Sequence, residues 1–522
     1  MPTNNTRLRI GPFIFLATFF LYVLASPGNL PGDTEVRWSV ARQFVRNGGL
    51  GIEDSLNTNY YAVGLDGKRY CFWGPGQSVL LIPLAAASLV LEKAFHVSPN
   101  TADLGAQFAA SSILFPAIGA AAVLALHQLV LLLKFRRRTA FLSAMALAVG
   151  SMFFHSSSIC AHEQTQVALL LLLAVMCVVK NQRRPSFLHA WLAAVCFGIA
   201  LTFRLTALVA FAPLLMVAAL DEAIRSPQKL CTFAKWFLAA ILGAGVFILV
   251  LGWFNYSRFG NPFETGYALS VARWFGGHKL FEANPLYSLP AMLFSPGKSI
   301  FLYNPILLLL PLAFAGFWRR NKALAIGIVL AIAGNFVFYS CFTGWAGDYA
   351  WSIRYQVAVM PLLILPLAQL FESMSRRIVI VATGVIFALS ILIQLASVVY
   401  NFNLEFVQNP NHGLIPDSYV WDPSQSHLVK RFENIARHIA GKRDFSSAPV
   451  LNEEPFIFKR NVSPESVRRA YEVNFFPFKA YAGSGSRSLF QMLLRGWVLC
   501  FAAFCASAVL LYRRATCPSA PG

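Results

Sequence analysis

Apolar runs of bilayer length recur along the whole chain, separated by polar stretches of very unequal size. A membrane span needs about 20 apolar residues. Runs approaching that length predict helices near 10–25, 104–133, 139–154, 165–180, 187–202, 205–220, 232–254, 301–318, 323–342, 357–372, 378–400 and 489–512. Lipid offers no hydrogen-bond partners, so each run must satisfy its own backbone as a helix. The predicted fold is an all-α polytopic membrane protein of about twelve transmembrane helices. The run Ser78–Leu91 is too short for a comfortable span. Pro75, Gly76 and Pro83 around it suit a re-entrant or juxtamembrane segment buried against protein.

Charge sets the orientation. Lys and Arg fall in short clusters between the runs: Arg7 and Arg9, Arg136–Arg138, Arg183-Arg184, Arg319-Arg320, Arg376-Arg377 and Arg513-Arg514. Such clusters hold loops in the cytoplasm. If Ser78–Leu91 does not cross, every cluster falls on one side and both termini are cytoplasmic. The extracytoplasmic segments are then 26–103, 155–164, 203–204, 255–300, 343–356 and 401–488. Three units follow: a core over 1–400 with its first loop at 26–103, a cap or small domain over 401–488, and a last helix with a cytoplasmic tail over 489–522.

Composition agrees. Only 13% of residues are charged and 57% are hydrophobic, whereas a soluble domain carries about 25% charge. The net charge of +20 does not mark a nucleic-acid binder, because the basic residues form no single stripe. The cysteines show neither a CxxC pair nor zinc spacing.

The candidate chemistry lies on the outer side. Asp33 and Glu35 open an amphipathic stretch, Asp33–Asn47, with Val36, Val40 and Phe44 on one face. Asp33 suits a helix N-cap; the pair also suits a general base or a metal ligand. His162-Glu163, with His155 before it, stands at a helix end, where a solvated end and a functional site are both open readings. Arg204 sits between two short helices and would attract phosphate or snorkel to head groups. The segment 255–300 carries Glu264 and Ser295-Pro-Gly-Lys298. Trp345, Asp348, Trp351 and Arg354 form an aromatic and polar cluster, which reads either as a sugar platform or as an interfacial belt.

In register, these segments resemble the C-type superfamily of membrane glycosyltransferases, in the branch of protein O-mannosyltransferases and aminoarabinose transferases. The resemblance covers roughly residues 10–400. It is carried by Asp33-Thr-Glu35 after the first helix, Tyr70-Cys-Phe-Trp73-Gly-Pro-Gly-Gln77, His162-Glu163, Arg204-Leu-Thr206, Gly260-Asn-Pro-Phe-Glu264, Phe294-Ser-Pro-Gly-Lys298 and Trp351-Ser-Ile-Arg354-Tyr355.

The resemblance implies an inverting transfer of sugar from a polyprenyl-phosphate donor to an acceptor hydroxyl on a glycan, lipid or protein, outside the cytoplasm. It implies Asp33, Glu35 and Glu163 as catalytic residues, with Arg204, Lys298 and Arg354 on the donor phosphate. Tyr70, Trp73, Glu264, Trp345, Asp348 and Trp351 would bind substrate. A divalent metal, Mg or Mn, on Asp33 and Glu35 is a further expectation. The competing class is a transporter or lipid flippase; the asymmetric loops and the lack of an inverted repeat argue against it.

Overall fold

The computed structural model describes residues 10–53, 56, 60–159, 162–274, 279–347, 350–408, 417–445 and 464–516. The regular elements among them are helices, apart from one short hairpin, β1 (Ala62–Val63) and β2 (Arg69–Tyr70), paired with Ala62 opposite Tyr70. Nine of the described helices are long and apolar enough to cross a bilayer. Leu249, Val385 and Leu499 on these helices are exposed. On a polytopic membrane protein such side chains face lipid, where an apolar surface costs nothing. Three further apolar helices, α1 (Gly11–Leu24), Phe187–Phe203 and Pro285–Phe294, are shorter. The expectation of about twelve spans is therefore not reached by length and composition alone.

The two ends of the bundle differ in chemistry. At one end Thr139 and the backbone N–H of Arg136 donate to Glu372, Asn181 donates to Glu222 (2.6 Å), Arg320 donates to the carbonyl of Lys134 (2.8 Å), and Arg183 reaches the carbonyl of Leu132. Four of the basic clusters read from the sequence lie here, so their common placement holds in the fold. At the other end Ser26 meets Ser111 and Ser112, and Trp497 donates to the carbonyl of Leu24. Thr206 meets Tyr339 at this end as well.

Two further helices stand at this second end. α2 (Gly32–Asn47) starts after Pro31 and stops at Gly48, whose φ of 72° ends it in the left-handed region. α3 (Gly76–Ala94) is longer than the run Ser78–Leu91 and passes as a span by composition. Its neighbours keep it from crossing. Gly76 lies against Thr202 and Phe203, and Glu92 near its far end pairs with Arg46 of α2 (2.6 Å). Trp38 and Arg42 of α2 in turn reach Asp103, about two helical turns beyond the Ser26–Ser111 contact. Both ends of α3 thus belong to one end of the bundle, as a juxtamembrane helix requires.

Across the second end of the Arg377–Val399 helix lies His427–Ile439. Arg431 is fully buried there. It donates to the carbonyls of Ala396, Ser397, Tyr400 and Asn401 and pairs with Glu405 at 2.6 Å. The first two belong to the last turn of the helix, whose carbonyls have no partner within it.

Candidate functional site

α2 delivers the first acid. Asp33 sits in its first turn and is not the cap, since Pro31 takes that position. Asp33 and Glu35 are therefore both helical and project about 200° apart. Asp33 turns inward, while Glu35 is exposed. The Asp33 carboxylate accepts from Arg354 (Nη1–Oδ2 3.1 Å), and His162 Nδ1 stands 3.8 Å from the same oxygen. Burial acts to raise the Asp33 pKa, but the charges of Arg354, His162 and Arg37 outweigh it and hold the carboxyl below its ordinary value of 3.8. Burial and Arg354 push His162 down to about 4. At neutral pH the centre therefore holds a carboxylate, a guanidinium and an uncharged imidazole.

Glu163 lies beside this trio. It is 2% exposed and bridges two guanidinium groups, Arg37 at 2.8 Å and Arg204 at 2.5 Å. Burial would raise its pKa, yet the two cations hold it well below the carboxylate range. Arg37 comes from α2, one turn past Asp33, and stacks on Trp73 with its carbon 4.3 Å from the ring centroid. Arg204 is further fixed by Nε donation to Thr206 (3.0 Å) and to the Tyr339 hydroxyl (2.9 Å), and by the Tyr355 ring (4.8 Å). Tyr339 and Tyr355 stack at 4.3 Å with planes 5° apart. A carboxylate held by two arginines is poorly suited to take a proton. Its effect is to fix where Arg204 points.

Arg204 heads a cavity of about 220 Å³. Its walls are mostly apolar: Phe203, Leu251, Leu280, Phe281, Phe338 and Phe342, with Phe72, Trp73 and Tyr267 beside them. The polar groups at its lining include Thr206, Asn255 and a second guanidinium, Arg258. Arg258 is 2% exposed and donates to the carbonyls of Phe254 and Cys71 and to Asn255. Around the cavity and the acids, Arg37, Arg204, Arg258 and Arg354 face Asp33, Glu163 and Glu264. Such a compartment fits an amphiphile with an anionic head and an apolar tail.

The remaining expected residues are placed as follows. Trp73 lines the cavity. Tyr70 is buried against Phe259 and donates its hydroxyl to Asp66 (2.9 Å). Glu264 accepts from the N–H of Gly266 (2.6 Å), next to the cavity-lining Thr265. Trp345 and Trp351 are both buried, the second at 2% exposure among other rings. The side chain of Lys298 is fully enclosed and donates to backbone carbonyls. Asp348 lies outside the described residues. Asp33, Glu163, Arg204 and Arg354 are brought together, Arg204 at the cavity wall and the other three behind it; Lys298, Tyr70 and Trp345 are not at the cavity wall.

The metal expectation rests on Asp33 and Glu35 converging, and they diverge. The inward oxygen of Asp33 is committed to a guanidinium, and among the described residues no three His, Cys, Asp or Glu side chains group as a ligand set. The described residues around Asp33 do not present a ligand set for a divalent cation.

Sequence reasoning did not single out Arg37 and Arg258 as site residues. Both sit inside helices, one turn from a named motif residue or glycine turn, and carry no spacing signature of their own.

No protein-family model matches the chain, and no curated protein does. Among solved structures the chain is similar to ArnT from Cupriavidus metallidurans bound to undecaprenyl phosphate, at 13% identity and a TM-score of 0.49. It is also similar to the same protein in the apo state, at 15% identity and a TM-score of 0.45. In both cases the match covers 96% of this chain and 76% of the other.

Proposed function

We propose that this protein is a membrane glycosyltransferase that moves a sugar from a polyprenyl-phosphate donor to an acceptor hydroxyl. The observation that carries the reading is the apolar cavity headed by Arg204, tied through Glu163 and Arg37 to the helix that bears Asp33. A lipid-linked phosphate would lay its chain along the aromatic wall and its head against Arg204 and Arg258. Its sugar would then extend toward Asp33.

In the reaction the acceptor oxygen attacks the anomeric carbon. The bond from that carbon to the phosphate oxygen breaks, and its electron pair leaves as the phosphate. The acceptor proton passes to Asp33, and direct displacement inverts the anomeric centre. Asp33 has a low pKa and is therefore a weak base toward a free alcohol. Its proton transfer is late, after the forming bond has acidified the oxygen. The charge growing on the leaving phosphate meets guanidinium groups already fixed in place, so little reorganisation is needed. No step is routed through a metal. The basic clusters at the opposite end support a cytoplasmic face there and, with it, acids and a cavity that work outside the cytoplasm.

The test uses the purified full chain in nanodiscs with a decaprenyl-phosphate sugar and an envelope-lipid extract as acceptor. Sugar transfer that releases decaprenyl phosphate, and is lost in Asp33→Asn, is the expected result. Equal release by wild type and Asp33→Asn, or none by wild type, contradicts the proposal.

A further inference from the structure

The Lys298 ammonium is fully buried and donates to two carbonyls, Ala350 at 3.1 Å and Ser352 at 3.3 Å. These flank Trp351, whose ring is fixed on several sides. His155 stacks on it at 6.1 Å, Tyr303 meets it edge-on at 5.0 Å and His427 at 4.9 Å, and the Arg431 guanidinium lies 5.6 Å from its centroid. Ser352 has a φ of 58°, in the left-handed region that a residue with a Cβ avoids. Two residues later Arg354 makes the contact with Asp33. A buried ammonium drawing together the carbonyls of Ala350 and the strained Ser352, on either side of Trp351, holds the backbone in a shape it would otherwise leave.

We infer that Lys298 is a positioning residue. With Trp351 as the anchor, it locks the 350–354 backbone so that Arg354 meets Asp33, and it does not bind the donor phosphate. The lock reaches into the outer segment, because His427 and Arg431 come from the helix that crosses the end of the 377–399 span. That segment therefore helps to set the charge on the catalytic acid. The inference rests on the proposed function for its meaning. Its geometry stands separately.

The test compares Lys298→Met, Ser352→Gly and the double variant in the full chain. Two measurements are made. One is the affinity for decaprenyl phosphate. The other is the coupling between Asp33 and Arg354, read as the non-additivity of the melting-temperature changes of Asp33→Asn and Arg354→Gln in each background. The expected result is that Lys298→Met abolishes the coupling and leaves decaprenyl-phosphate affinity within about twofold of wild type. Adding Ser352→Gly restores the coupling, because glycine holds a positive φ without a clamp. An affinity loss of about tenfold or more with the coupling intact would make Lys298 a phosphate ligand and overturn the inference. So would a coupling that Ser352→Gly fails to restore. If wild type binds no decaprenyl phosphate, the functional reading fails, and the coupling measurement still decides whether Lys298 is a lock.

Discussion

The chemistry turns on which carboxylate is left able to act. Glu163 is fixed between Arg37 and Arg204, so its charge is spent on orienting them. Asp33 makes one close charged contact, to Arg354, with a neutral imidazole nearby. Asp33→Asn is expected to lower turnover by about 10²–10⁴-fold, in the range of a lost general base, with donor affinity unchanged; steady-state kinetics beside equilibrium binding check this. The Asp33 pKa is depressed in the fold, so the stability it contributes is complete above its ordinary value of 3.8 and is lost as pH falls through the lower folded value. In Arg354→Gln the largest of the depressing charges is gone, and the acid limb of the rate profile moves to higher pH. A rate profile across the acid range, compared between wild type and that variant, reads the shift. The sequence left open whether Asp33, as a cap, converges with Glu35 or, as a helical residue, points away from it. The helix that starts after Pro31 makes both acids helical and sends them to opposite faces.

Among the elements, the buried ion bridges are what tie α2 to the bundle. Glu163→Gln would leave Arg37 and Arg204 without their shared counter-charge, at a cost of about 3–5 kcal/mol. Replacing Arg37 by Met in the same chain removes one of the stranded cations and is expected to recover part of the loss; melting temperatures of the two variants in nanodiscs decide. Much at this scale was legible in the sequence. Apolar runs place the spans, and the weakness of Ser78–Leu91 as a span already points to a helix that lies beside the membrane. The width of the buried face of α2 was not legible. Phe44 reads as a core position but is exposed, whereas Arg37 is buried because Glu163 and Trp73 await it. Hydrophobic periodicity cannot foresee a buried arginine whose partner lies more than a hundred residues away. Lys298 was expected on the donor phosphate from the resemblance, whereas in the fold its ammonium donates to backbone carbonyls, a partnership that no sequence pattern announces.

The whole molecule is polarised. The buried ion pairs of Asp33 and Glu163 with arginines gather at one end and the short basic clusters at the other. Single cysteines placed near Lys479 and near Lys322 are expected to differ: the first should react with an impermeant thiol reagent added outside intact cells, and the second only after permeabilisation. Reversal of that pattern would put the acids in the cytoplasm. The proposed function puts an amphiphilic phosphate in the cavity that Arg204 heads, and binding tests this most directly. Native mass spectrometry of the full chain with decaprenyl phosphate should show one retained adduct in wild type, greatly weakened in Arg204→Leu. The absence of an adduct in wild type, or one that survives Arg204→Leu undiminished, would contradict the account.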